Sequence, residues 1–194
     1  MRRPPRGYSD SFRIIGGQHR ARRLDFPPLP GLRPTPDRVR QTLFDWLAPV
    51  IHGSRCLDLF AGSGALGLEA LSRGAAAVTF VEREPEALAA IREHLITLGA
   101  DAETCLGDAL SVLPTLATTD NGRYEIVFVD PPFDSDLRMR ALDALAVQDR
   151  IAPGGLVYVE GPADATPPQR AGFELHRSKR AGNVGFHLLR RGLE

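Results

Sequence analysis

From Arg55 onward the chain alternates short apolar runs with segments of helical spacing, and that alternation admits few folds. CLDLF, VTFVE, AETCLGD, IVFVD and GLVYVEG are expected as strands. Between them ALGLEALSRG, PEALAAIREHLITLG, ALSVLPTLA and LRMRALDALAVQ are expected as helices. The first is closed by Gly74, and the second is opened by Pro85 and closed by Gly99. The strand runs are apolar throughout, which implies a parallel sheet covered by helices on both faces. The tail, FELHRSKRAGNVGFHLLRR, departs from this pattern. It reads as two strands around an Ala181-Gly182-Asn183 turn, a hairpin.

The N-terminal region obeys different rules. Phe12 to Gln18 and Arg20 to Phe26 read as short strands with Gly16-Gly17 available for a turn, and PPLPGLRP is a linker. Thr35-Pro36-Asp37 opens a helix with a hydroxyl N-cap, a proline at the first position and an acid in the first turn. Val39, Leu43, Trp46, Leu47 and Val50 keep helical spacing along its packed face. At 194 residues and 43% hydrophobic, the chain supports one ordinary core. We therefore expect a basic arm and hairpin over residues 1–34 and a single globular unit over 35–194. No apolar run approaches the roughly 18 residues of a membrane span, and the start lacks the apolar stretch of a secretory signal. Cys56 and Cys105 lie far apart in apolar contexts and are expected as buried thiols, not as a disulfide or a zinc site.

The formal net charge of zero conceals an asymmetry. Residues 1–40 hold ten arginines against three aspartates, and the remaining 154 residues carry the compensating seven negative charges. A basic arm on an acidic body suits a polyanionic partner.

Four strand ends carry polar groups. Leu57 to Gly67, LDLFAGSGALG, is a strand, a glycine turn and a helix start, which lets backbone approach a ligand at the helix N-terminus. Glu82 ends the second strand about 20 residues further on, where a carboxylate can accept both hydroxyls of a ribose. Asp108 ends the third, placed to accept from an adenine amino group. These features alone leave NAD open as a cofactor. The fourth strand runs into Asp130-Pro131-Pro132-Phe133, for which a dehydrogenase has no evident use. An exocyclic amino group of a base is a poor nucleophile because its lone pair is delocalised into the ring. Asp130 and the Pro131 carbonyl can each accept one of its hydrogens, and the prolines bring no competing N–H. Phe133 offers a face for an extruded base. The five histidines form no catalytic set. His19 and His176 lie among arginines, and His52, His94 and His187 are expected to be solvated or packed.

The LDLFAGSG, VE, GD and DPPF series resembles the S-adenosylmethionine-dependent methyltransferases that modify base amino groups. The flanks RIIGGQHRARRL, GLRPTPDRVRQTLFDWLAP and AGNVGFHLLRR resemble the RsmD family of 16S rRNA guanine-N2 methyltransferases, and the likeness runs from Phe12 to Arg190. The resemblance implies an α/β, Rossmann-like class I methyltransferase fold. Its seven-stranded, mostly parallel sheet would be completed by the C-terminal antiparallel hairpin and preceded by an N-terminal hairpin and helix. It implies S-adenosylmethionine as cofactor, held by Arg33, Thr35, Asp58, Ala61, Gly62, Gly64, Glu82 and Asp108, with Arg33 to Arg38 closing over its methionine end. Asp130, Pro131, Pro132 and Phe133 would form the catalytic set. Arg13, Arg20, Arg22, Arg23, Arg38, Arg177, Lys179 and Arg180 would contact 16S rRNA within a small ribosomal subunit or an assembly intermediate. No metal is expected, and the protein is expected to act as a monomer in the cytoplasm. Two other readings compete. One is an adenine-N6 methyltransferase, since DPPF does not distinguish the bases. The other is a non-catalytic RNA-binding assembly factor, against which the intact Gly62, Gly64, Glu82 and Asp130 argue.

Overall fold

Strands that are apolar on both faces need cover on both, and one twisted sheet organises the molecule. The structure, a computed structural model, describes residues 10–116, 123–132 and 136–193. An antiparallel pair, β1 (Asp10–Arg13) and β2 (Arg23–Phe26), precedes helix α1 (Asp37–Leu47). The main sheet is then built from β3 (Arg55–Asp58), α2 (Ala65–Ser72), β4 (Ala77–Glu82), α3 (Pro85–Leu98) and β5 (Glu103–Leu106). It continues through α4 (Ala109–Val112), β6 (Tyr124–Val129), α5 (Leu137–Val147), β7 (Ile151–Pro162), β8 (Phe173–Ala181) and β9 (Val184–Arg191). The strand order is β5-β4-β3-β6-β7-β9-β8. β3 to β7 pair in parallel, and the β8–β9 hairpin joins antiparallel through β9, so the expected seven-stranded architecture is present.

The chain enters this sheet in its middle, grows outward through β4 and β5, and returns to add β6 and β7 on the other side. Such a reversal, here between β3 and β6, opens a crevice beyond the carboxyl ends of the strands. Alternate residues sort the core. Cys56, Phe80, Phe128 and Tyr158 pack with α1, α2, α3 and the N-terminal hairpin, whereas Leu57, Val81, Val127 and Val157 pack with α4 and α5. Helix α2 is buried along its whole length, which fits a sequence apolar on every side except at Glu69 and Ser72.

Several local expectations change. The N-terminal strands are shorter than Phe12–Gln18 and Arg20–Phe26, and of Arg20, Arg22 and Arg23 only Arg23 lies in a strand. The reason is capture of the hairpin turn by α2. Glu69 accepts from the backbone of Ile15 and Gly16, each at 2.8 Å, and the Ser72 carbonyl accepts from Gln18 N at 2.8 Å. Gly17, at φ +76°, allows this seat, because a Cβ there would stand 1.8 Å from the Ser72 carbonyl oxygen. Helix α1 ends at Leu47, leaving Val50 outside it and half-exposed. Cys56 is buried as expected, but Cys105 is only partly so; both are free thiols. No helix among the described residues is long and apolar enough to cross a membrane.

Candidate active site

The site forms where β3, β4, β5 and β6 end together. After Asp58 the chain turns through Gly62 and Gly64, both at positive φ (+52° and +80°), and Gly64 serves as the N-cap of α2. The turn is braced from both neighbouring strands: Ala61 N donates to the Val81 carbonyl at 2.9 Å and Leu59 N to the Phe128 carbonyl at 3.1 Å. Glu82 is locked by backbone. Its Oε2 accepts from Gly62 N at 2.6 Å and its Oε1 from Glu84 N at 2.8 Å, so its carboxylate is oriented before any ligand arrives. Asp58 is buried, and its Oδ2 accepts from Gly67 N at 2.9 Å. Burial pushes this carboxyl up to about 7, an effect that the Gly67 N–H opposes and the charge of Glu82 reinforces.

Asp108 has a second employment that the sequence reading did not assign. It is the N-cap of α4, its Oδ1 accepting from Leu110 N at 3.1 Å and Ser111 N at 3.0 Å. The cap fixes the carboxylate at the end of β5, with Oδ2 outside those bonds.

Asp130 follows β6 directly. Thr35 Oγ1 donates to its Oδ2 at 3.3 Å, across 95 residues. Thr35 is therefore not the hydroxyl cap of α1: the cap position is Pro36, no side chain caps the helix, and the hydroxyl is spent on Asp130. Burial first, then the charges of Glu160 and Asp58, hold the Asp130 carboxyl well above the usual carboxylate range, against the pull of Thr35. Glu160, on β7, is buried and accepts from the Tyr158 hydroxyl at 2.7 Å. Pro131 is buried beside Asp130 and Pro132 is exposed; Phe133 lies outside the described residues. The segment carrying Arg33 passes over the glycine turn, since a Cβ on Gly62 would meet Leu32 Cδ1 at 3.0 Å. It thus brings Thr35 and the exposed Arg33 to the same edge as Asp58, Ala61, Gly62, Gly64, Glu82 and Asp130.

The candidate RNA-contacting residues fall into separate places. Arg13 pairs with Asp37 at the start of α1, and Arg38 is exposed one residue on from Asp37. Arg20 and Arg22 sit in the turn at the C-terminal end of α2, about 12 Å along that helix from the glycine turn by helical rise. Arg177, Lys179 and Arg180 lie on β8, the far edge strand, and are exposed. A bulge between Leu175 and Arg177 places Arg177 opposite Leu188 and Lys179 opposite Phe186, the face that α1 covers, rather than the face of Leu175. His94 and His187 are packed. His94 bonds the Asp25 carbonyl at 2.7 Å, and His187 bonds Ser178 Oγ at 2.9 Å. Among the described residues no group of side chains could hold a metal ion.

Two kinds of residue escaped the sequence reading. Glu160 carries the same signal as Glu82 and Asp130, an acid closing an apolar run, in VYVEG, although β7 continues to Pro162. Glu69 and Arg40 carry no such signal, being a charge inside an apolar helix and one arginine among ten.

The family model described as "Conserved hypothetical protein 95" matches residues 12–190. The chain is 46% identical over 193 residues to ribosomal RNA small subunit methyltransferase D of Escherichia coli K12, covering 98% of this chain and 96% of that protein. It is 41% identical over 177 residues to the Haemophilus influenzae protein of the same name, covering 91% and 92%. Among solved structures, a putative methyltransferase yhhF from Escherichia coli superposes with a TM-score of 0.85 at 44% identity, over 95% of this chain and 100% of that one. With its motifs, its sheet order and its full-length likeness in agreement, the chain belongs to this family, the RsmD family of ribosomal RNA small subunit methyltransferases.

Proposed function

We propose that the protein transfers a methyl group from S-adenosylmethionine to the exocyclic 2-amino group of a guanine in 16S rRNA. It does so as a monomer in the cytoplasm, on a small ribosomal subunit or an assembly intermediate. One observation carries the reading. Asp130 and Pro131 follow β6 beside the glycine turn, in a site whose acids Asp58, Asp130 and Glu160 accept from the Gly67 amide and the Thr35 and Tyr158 hydroxyls, with none of the ion pairs among the described residues reaching them. Such a pocket suits a ligand that brings its own positive charge and repels the pyrophosphate of a dinucleotide. S-adenosylmethionine fits on that ground, and when bound it supplies an electrophilic methyl group on a cationic sulfur.

The chain's own residues do the rest. Glu82, oriented by two backbone amides, takes the ribose hydroxyls, and Asp108 takes the adenine amino group. Gly62 and Gly64 let backbone come close to the methionine end, where Asp58 offers charge, and Arg33 with Thr35 covers it. Asp130 and the Pro131 carbonyl each accept one hydrogen of the base amino group, which localises the nitrogen lone pair and aims it. Phe133 stacks on the extruded base. Positioning supplies most of the acceleration, and Arg13, Arg38, Arg177 and Lys179 grip the RNA backbone on either side. The test is methyl transfer from labelled cofactor to small subunits that lack the modification, followed by mapping of the methylated base. Label on a guanine 2-amino group is the expected result. Label on an adenine, or no transfer, overturns the reading.

A further inference from the structure

Glu160 has no part in the transfer as described, yet its placement is specific. In the β6–β7 register Val129 lies opposite Val159. The next residues, Asp130 just past the end of β6 and Glu160 within β7, are therefore neighbours on the same face of the sheet. Tyr158 donates to Glu160 Oε1 at 2.7 Å. The Thr35 hydroxyl donates to Asp130 at 3.3 Å and acts in the same direction on Glu160, lowering the pKa of each. Thr35 thus faces both members of the pair, and its hydroxyl is bonded to Asp130.

Among the described residues the surroundings are otherwise apolar or acidic. Asp58 approaches from β3, and Phe186 of β9 lies opposite Glu160. Helix α1 presents Phe44 against Phe128 and Trp46 against Phe186. Arg138 of α5 lies against Gly161, the next residue of β7, but it is not among the groups that act on either carboxylate. A buried carboxylate held only by neutral donors costs the fold stability. A glutamine in its place could keep the Tyr158 bond at lower cost. The acid at position 160 therefore calls for a reason other than stability.

We propose, resting on the methyl-transfer reading above, that Glu160 is a positioning residue of the transfer step: the second member of a carboxylate pair in which Asp130 meets the base and receives its proton. As the amino nitrogen forms its bond to the methyl carbon, the carbon–sulfur bond breaks and its electron pair stays on sulfur. The nitrogen is left with a surplus proton and a positive charge. That proton passes to an Asp130 carboxylate oxygen, giving a neutral methylamino group, and is released to water with the product. The charge of Glu160, one strand away, makes Asp130 the stronger base for this step. Burial and Glu160 raise Asp130 in that direction, and Thr35 opposes them.

The test compares Glu160→Gln with the wild type in kcat and kcat/KM against pH, cofactor affinity by calorimetry, and thermal unfolding. Loss of the neighbouring charge should lower kcat by about tenfold or more, within the range that proton-transfer groups command. The acid limb of the pH–rate profile should move to lower pH, while cofactor affinity holds and the melting temperature is equal or higher. Thr35→Val should move the same limb to higher pH, because it removes the bond that opposes the rise. Should the glutamine variant not fold, Tyr158→Phe carries the test, since it weakens the charged form of Glu160 and should shift the limb in the same direction as Glu160→Gln. An acid limb that stays in place in an otherwise active enzyme overturns the pairing, as does a rate loss matched by an equal loss of cofactor affinity. A wild-type protein that methylates no rRNA guanine removes instead the functional reading on which it rests.

Discussion

Acids in two regions of this molecule are treated in opposite ways. Glu69, fully buried in α2, receives Arg73 Nε at 2.8 Å, Arg40 Nη1 at 3.5 Å and the backbone N–H groups of Ile15 and Gly16. Arg40 is itself buried, donates to the carbonyls of Thr35 and Arg13, and lies over the Phe12 ring. Every charge there has its counterpart within the chain. At the carboxyl edge of the sheet, the buried Asp58 and Glu160 and the partly buried Asp130 are set among hydroxyls, amides and one another. The first arrangement ties the N-terminal hairpin to α1 and α2; the second leaves negative charge to be matched from outside. Buried charge thus marks structure where it is paired and a binding site where it is not.

The contrast can be broken experimentally. The largest effect is expected from Glu69→Ala, which takes the buried carboxylate from Arg40 and Arg73, leaves Arg40 only the half-exposed Asp37 as counter-charge, and frees two backbone donors. Loss of one partner of a buried pair costs about 3–5 kcal/mol, read as a fall in denaturant midpoint. A loss below about 1 kcal/mol, the range of surface pairs, would mean that water replaces the carboxylate and the contrast is overdrawn. Next, Asp130→Ala should lower turnover by about a hundredfold or more, as loss of one oriented polar group commonly does, with fold and cofactor affinity nearly intact. A variant retaining more than roughly a tenth of wild-type rate would remove Asp130 from the mechanism, since even a modest proton-transfer role exceeds that.

A smaller effect concerns pH. The Asp58 carboxyl is raised in the fold from 3.8 to about 7. Folding therefore favours its protonated form, and its contribution to stability is full below about pH 4 and lost as pH rises through about 7. A cationic ligand favours the ionised form. Affinity for S-adenosylmethionine should therefore tighten between pH 6 and 8, by at most about tenfold per unit for a single group. Calorimetry showing no change would exclude Asp58 from the charge the cofactor meets. The smallest effect separates arginines near the site from those at the far end of α2. Arg13→Gln with Arg38→Gln should flatten the salt dependence of rRNA binding by about 0.7–0.9 unit per lost phosphate contact. Arg20→Gln with Arg22→Gln should flatten it less. The reverse order would put the RNA surface on the hairpin turn.

Legibility in the sequence followed the range of the interaction. Apolar runs, glycine turns and helix signals are local, so the strand–helix alternation, the C-terminal hairpin and the acids at Glu82, Asp108 and Asp130 were readable before any coordinates. The shortened N-terminal strands were not, because their backbone donors are taken by Glu69 and Ser72, more than 50 residues away. Thr35 shows the limit most clearly. By local rules it is a helix cap; in the fold it serves Asp130, 95 residues on.

What the sequence by itself determined is which segments would be buried on both faces and which strand ends would be polar, since both depend on windows of a few residues. Only the tertiary structure decided that β6 and β7 stand side by side in a register that sets Asp130 next to Glu160, with Thr35 laid across them. The acidity of a buried carboxyl depends on distance to its neighbours and on exclusion of water. Neither quantity exists until the strands have been ordered and the helices have closed over them.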